Sequence, residues 1–217
     1  MGSPVNVGGD LLFVGGGLAL TFALLAGGLA LGFFLGLSLA ILRHCSVFPG
    51  AIDRYISFVR GTPMLLQLSL IYFAAPAIGN IRLGVVQAGI VAFGLNSSAY
   101  LAEIFRAGIG SISIGQFEAV RTLRIPQFYA WRDIFLPQVF AKILPALTGE
   151  VIALLKETAL IATIGGSDVM RRSQMVAAER FTYFAPLCMA CIYYYAVVLL
   201  LEWLGKRLER RVRHAIG

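Results

Sequence analysis

An all-α protein embedded in a membrane is the fold class this sequence predicts, and three observations predict it. Of 217 residues, 59% are hydrophobic and only 13% charged, against about a quarter charged in an ordinary globular domain. The mean hydropathy is +0.82. The charges are also segregated: no Asp, Glu, Lys or Arg occurs in 11–42, 61–81, 83–102 or 181–201. As a helix, each run is long enough for a hydrocarbon core of roughly 30 Å. These runs are solidly apolar and do not alternate every second residue, which predicts helices and not a barrel.

The first run, 11–42, is overlong at about 48 Å of helix, so it must tilt, break near Gly27-Gly28 or project from the bilayer. Gly28, Gly32 and Gly36 recur every fourth residue and place a smooth stripe on one face. That stripe suits either packing within the chain or a seam between subunits. Residues 1–10 carry no Lys or Arg, so the expected reading is a retained span and not a cleaved signal.

In 51–59, "AIDRYISFV", Ile52, Tyr55, Ile56 and Val59 fall at helical spacing opposite Asp53 and Arg54, which predicts a short helix in the membrane interface. "RGTP" follows, with Thr62 as the expected N-cap and Pro63 at the first helical position. Spans are expected at about 61–81 and 83–105. Next comes a polar loop, 106–142, holding an amphipathic helix: Ile114, Phe117, Val120 and Leu123 on one side, Glu118, Arg121 and Arg124 on the other. Glu118 and Arg121 are placed to pair one turn apart. Pro126 stops that helix, and Leu136-Pro137 is expected to open the next span. About three turns of helix are not stable alone. This one needs a surface, either the membrane interface or a soluble partner.

A further span is required at 143–167, apolar except for Glu150, Lys156 and Glu157, and the last runs over about 181–204. Five spans put the termini on opposite sides, and charge asymmetry sets the direction. With the N-terminus outside, the cytoplasmic segments hold Arg43, Arg54, Arg60, Arg106, Arg121, Arg124, Arg132, Lys142, Lys206, Arg207, Arg210, Arg211 and Arg213. The other side holds only Arg82, Arg171, Arg172 and Arg180. The C-terminus is therefore expected in the cytoplasm, and the net charge of +7 follows from this bias with no appeal to nucleic acid. Cys188 and Cys191 form a CxxC inside an apolar run with no second pair; they read as small packing residues, not as a redox or metal site. His44 and His214 read as interfacial.

The 106–142 loop resembles the "EAA" loop of the permease subunits of ATP-binding-cassette importers, type I fold. That pattern has Glu-Ala-Ala, a Gly four residues on, and a Leu-Pro thirteen residues beyond the Gly. Here Glu118-Ala119-Val120 is followed by Leu136-Pro137 at the expected distance, with Arg124 in place of the Gly. "RGTPMLLQLSLIYF" (60–73), "LNSSAYLAEIFRAGI" (95–109) and "LLKETALIATIG" (154–165) further resemble the polar amino-acid uptake branch. The resemblance implies a single transmembrane domain over 1–217, and a coupling helix carrying Phe117, Glu118, Ala119, Val120, Arg121, Leu123 and Arg124 that docks on an ATPase. It also implies two such ATPase subunits, a second permease subunit, identical or homologous, and an extracytoplasmic substrate-binding protein. No G-x-x-x-x-G-K-[ST] loop occurs, so ATP and Mg are expected on the partner ATPase, with no cofactor and no catalytic chemistry on this chain. The implied setting is the bacterial cytoplasmic membrane.

Ionisable groups at mid-membrane cost roughly 2.5–3.5 kcal/mol each and mark functional candidates. Glu150 and Glu157, seven residues apart, share one helix face; Thr158 lies beside it. They suit either a substrate ammonium or a buried ion-pair lattice, for example Lys156 with Glu103, and the resemblance favours substrate contact. Asn96 and Glu103 are weaker candidates, the first also suited to interhelical hydrogen bonding and the second to a cytoplasmic salt bridge. The expected function is that of an amino-acid importer's permease. An ion-gradient-driven carrier and a membrane scaffold that recruits a soluble partner are the readings it displaces.

Overall fold

The structure, a computed structural model, describes residues 7–216, with side chains to 212; every regular element among them is helical. In chain order these are α1 (Val7–Gly15), α2 (Leu18–His44), α3 (Pro49–Gly61), α4 (Met64–Gly79), α5 (Val85–Gly110), α6 (Ile114–Thr122), α7 (Gln127–Ile164), α8 (Val169–Arg180) and α9 (Phe184–Ile216). Four runs are long and apolar enough to cross a membrane: Val7–His44, α5, α7 and Phe184–Val212. A fifth is reached when α3 and α4, bent by 103°, count as one span. His214 and the first six residues lie outside the described side chains.

α5 is the central helix, and its small residues explain why. Gly89, Ala92, Gly94, Ser97, Ser98, Ala99 and Ala102 are all buried, so neighbours approach its backbone closely. α2 lies along it: a Cβ at Gly28 would stand 3.0 Å from Phe93 Cβ, at Gly32 2.9 Å from Ser97 Cβ, and at Gly36 2.8 Å from the Ser98 carbonyl. The glycine stripe is therefore an intrachain seam. The overlong first run breaks at Gly16-Gly17, not at Gly27-Gly28, and α2 runs unbroken through the latter pair. At Gly17 the chain meets the Asp168–Val169 backbone so closely that a Cβ would clash with it.

The apolar face of α3 is used against protein: Ile52, Ile56 and Val59 pack on Ala99 and Ala102 of α5. Tyr55 donates to the Leu95 carbonyl (3.0 Å) or shares a proton with Ser98 Oγ (2.8 Å). The α3–α4 corner is not capped as expected. Pro63 itself is the N-cap of α4, while Thr62 ends α3 and donates back to the Phe58 carbonyl at 3.0 Å. The Gln67 amide spans the corner, donating to the Val59 carbonyl (2.8 Å) and Thr62 Oγ1 (2.9 Å).

Prolines shape the rest. In α4 and α7 a wide π turn, Leu70–Ala74 and Ala130–Phe135, immediately precedes Ala75-Pro76 and Leu136-Pro137. The wider turn takes up the ring and the missing N–H. Leu136-Pro137 thus lies inside a helix that begins at Gln127, well before the predicted 143, behind Pro126 as N-cap.

Between α5 and α7 stands α6, at the end of the bundle opposite α1 and α8. Only part of its predicted apolar stripe is covered. Val120 is 4% exposed, and Phe117 packs on Phe135 of α7 with ring centroids 4.5 Å apart. Ile114 and Leu123 are 76% and 71% exposed. No ion pair joins Glu118 to Arg121 among the described residues. The helix ends in a Schellman motif: Arg124 N–H donates to the Arg121 carbonyl and Ile125 N–H to the Val120 carbonyl, both at 3.1 Å. Arg124 carries the left-handed conformation this requires, φ +52°. Substituting Arg124→Gly is expected to stabilise the protein by about 1 kcal/mol, read as a higher thermal midpoint of the detergent-solubilised complex.

The helix α8 has no counterpart among the predicted elements. Asp168 caps it, accepting from Arg171 N–H at 2.8 Å and from the Tyr194 hydroxyl at 2.9 Å. Burial raises the Asp168 carboxyl above the usual range despite these bonds. Arg180 and Asp10 pair at 3.0 Å, tying α8 to α1. Cys188 and Cys191 are exposed on α9, so they do not pack inside the chain, and no His, Cys, Asp and Glu cluster fit for a metal occurs among the described residues.

Candidate functional site: paired carboxylates between two central helices

Glu150 and Glu157 project from α7 towards α5. The Ser97 hydroxyl donates to Glu150 Oε1 at 2.6 Å, and Asn96 Nδ2 donates to Glu157 Oε2 at 3.1 Å. The glutamates are about 10 Å apart along their own helix, yet they bond consecutive residues of the facing one. Both carboxylates therefore lean towards one level of α5.

The donors are rigidly held. Asn96 is 4% exposed, Ser97 and Ser98 fully buried, and the close α2 seam backs this stretch of α5. The glutamates are only half-buried, and the second oxygen of each makes no hydrogen bond among the described residues. A polar, anionic opening inside an apolar bundle is suited to a cationic group such as an ammonium.

Two other predicted candidates, Thr158 and Glu103, are placed differently, and so is Lys156, the expected ion-pair partner. Thr158 is fully buried and donates to the Leu155 carbonyl at 2.6 Å, so its hydroxyl is committed to the turn that opens the terminal 3₁₀ segment. Glu103 does not pair with Lys156. It takes both guanidinium donors of Arg106, Nε at 2.9 Å and Nη2 at 2.6 Å, with Arg60 at 3.9 Å. A partner one helical turn away on the same element outcompetes a distant one. Lys156 is exposed and borders a groove with Tyr194, Tyr195 and Val198 of α9. Ser97 is absent from the predicted site; the signal available was the polar triplet Asn96-Ser97-Ser98 within a charge-free run.

An all-helical multi-pass bundle with a short amphipathic helix at one end and half-buried carboxylates between its central helices is the architecture of a transport permease. Residues 16–214 match the family described as binding-protein-dependent transport system inner membrane component, and the chain belongs to it. It is 42% identical over 207 residues to a Rickettsia typhi protein described as a putative glutamine transport system permease protein, covering 93% of this chain and 94% of that one. It is 39% identical over 203 residues to an arginine transport system permease protein of Bacillus subtilis, covering 93% of both. Among solved structures, one described as an amino acid ABC transporter with histidines superposes with a TM-score of 0.85 at 36% identity, over 92% of this chain and 94% of that one. An inward-facing methionine transporter, at 20% identity and a TM-score of 0.72, shares the fold.

Proposed function

We propose that the chain is the permease subunit of an ATP-driven amino-acid importer of the bacterial cytoplasmic membrane, and that Glu150 and Glu157, with Asn96, receive the substrate's ammonium group. The convergence of both carboxylates on Asn96 and Ser97 is the observation that carries this reading. The family membership supports the transport role. With α3 and α4 counted as one span the chain has five, and the distribution of Lys and Arg then favours the N-terminus outside and the C-terminus in the cytoplasm.

One bundle gives a half-open site, so a second permease, identical or homologous, faces the first. Two ATPase subunits hold ATP and Mg and grip α6 as a coupling helix; an extracytoplasmic binding protein delivers the amino acid. ATP binding draws the ATPases and coupling helices together and opens the path outward, and hydrolysis returns it inward. The chain itself performs no covalent chemistry.

Reconstitution of the full complex in proteoliposomes tests this, with uptake of labelled amino acids followed while ATP is held and ion gradients are collapsed. Uptake is expected to persist. Its loss on collapse would make the chain a gradient-driven carrier, and a bound partner with no transport at all would make it a scaffold. Glu157→Gln is expected to lower uptake about tenfold, as loss of a charge-assisted contact does, with the complex still assembled. Unchanged transport at limiting substrate would remove Glu157 from the path.

A further inference from the structure

Beyond the glutamate pair, towards the α6 end of the bundle, the seam between α5 and α7 opens into a cavity of about 380 Å³. This is within the range of small-molecule pockets, roughly 300–1,000 Å³. Its walls combine small residues such as Ala107, Gly108 and Ala146 with Ile104 and Ile143, and its charged groups are Arg60, Arg106, Lys142 and Glu103. The sign of charge is thus reversed relative to the glutamate site. Glu103 is committed to Arg106 through both oxygens and stands only at 3.9 Å from Arg60, so one carboxylate faces three cations, and Arg60 and Lys142 are the ones whose charge is not closely matched.

Both are positioned. The Arg60 guanidinium lies over the Tyr100 ring at 5.2 Å and is 45% exposed. Lys142 Nζ donates to the Ser111 carbonyl at 2.6 Å, which uses one of its three protons. Tyr100 and Glu103 follow Asn96 and Ser97 by one to two turns on α5, and Ala146 and Lys142 precede Glu150 by one to two turns on α7. Both stations therefore lie along one pair of helices, with Arg60 added to the second from the end of α3.

Resting on the importer reading above, we propose that this cavity is a second substrate station, the last before release, and that Arg60 and Lys142 hold the α-carboxylate of the amino acid there. The carboxylate pair takes the ammonium first, and the cationic cavity then takes the opposite end of the same zwitterion. Continuity with the glutamate site along one seam singles out the substrate over a lipid phosphate, which shares the chemistry.

The test compares wild type, the double variant Arg60→Gln/Lys142→Gln and the charge-preserving pair Arg60→Lys/Lys142→Arg. Each is purified with its ATPase and binding protein and reconstituted once in phosphatidylcholine alone and once with added phosphatidylglycerol. Labelled amino acid taken up is measured per ATP hydrolysed. The double neutral variant is expected to lose about tenfold in uptake per ATP, equally in both lipids, with most of the loss restored by the charge-preserving pair. Unchanged uptake per ATP overturns the proposal, and so does a defect confined to phosphatidylglycerol vesicles, which would make this a lipid site. Wild-type complex that transports no amino acid would overturn the importer reading instead. Should the neutral variant fail to assemble, the single variant Lys142→Gln carries the same comparison.

Discussion

Gly36→Val is expected to leave no assembled permease in the membrane, whereas Gly50→Ala is expected to leave it at wild-type level. A Cβ at Gly36 would lie 2.8 Å from the Ser98 carbonyl, 2.9 Å from Leu101 Cβ and 3.1 Å from the Ala102 nitrogen. The first and last of these are backbone atoms of α5, and no rotamer can move them. Overpacking a core commonly costs about 1–3 kcal/mol. Here the two helices must part along a seam continued by Gly28 and Gly32, so the upper end of that range or more applies. Ser98 and its neighbours also carry Tyr55, Glu150 and Glu157, and displacement of α5 disperses the glutamate partners with it. Gly50 has open space around its Cβ position. The measurement is the amount of monodisperse complex recovered in mild detergent. Recovery should fall stepwise from wild type through Gly36→Ala to Gly36→Val, and a valine variant recovered in full would show that the seam yields.

Close helix approach was legible because only glycine at every fourth position leaves such a trace, although its direction, towards α5 and not another subunit, was not. The carboxylate pair was equally legible, since charge is rare in these runs and its cost at mid-membrane demands a reason. What escaped was pairing. Glu118 and Arg121 sit at suitable spacing yet do not bond, and Glu103 prefers Arg106 to Lys156, because side-chain partners depend on orientation and burial that spacing alone does not set. The start of α7 escaped for a different reason. Leu136-Pro137 reads as a helix boundary, and only a π turn ahead of it lets the helix continue. Likewise α8 lies in a polar stretch whose helical order comes from a buried cap, Asp168, and from Arg180 on Asp10.

The placement of α6 gives a mechanical reason for its sequence. Phe117 and Val120 fix it to α7 through Phe135 and Ala130, while Glu150 and Glu157 stand further along the same α7, about two and four turns beyond Ile143. A push on α6 is thereby delivered to the helix that carries Glu150 and Glu157, through packed side chains that do not compress. The Schellman turn at Arg124 holds the far end of α6 at a fixed angle. The outer face, with Ile114, Glu118, Ala119, Arg121 and Leu123 exposed, has no partner among the described residues.

Glu118→Arg is therefore expected to detach the ATPase and to abolish ATP-driven uptake, while the permease itself remains folded. Glu118 touches nothing whose loss would unfold the bundle, since its carboxylate makes no ion pair among the described residues and the helix is held by Phe117 and Val120 on the opposite side. The substitution changes the local charge by two units on a face already carrying Arg121 and Arg124. A partner groove shaped for the wild-type pattern then meets like charge, or loses the acceptor it donates to. Such a loss costs a buried contact about 2–5 kcal/mol, or roughly thirtyfold or more in affinity. Two measurements check it together: ATPase co-purified with the solubilised permease, and uptake of labelled amino acid in vesicles loaded with ATP. Phe117→Ala serves as the contrasting variant. It is expected to retain the ATPase more fully than Glu118→Arg but to lower uptake per ATP hydrolysed, because it loosens the link between α6 and α7 and leaves the docking face unchanged. Full ATPase recovery and full uptake with Glu118→Arg would return α6 to the membrane interface and leave the ATPase to dock elsewhere on the chain.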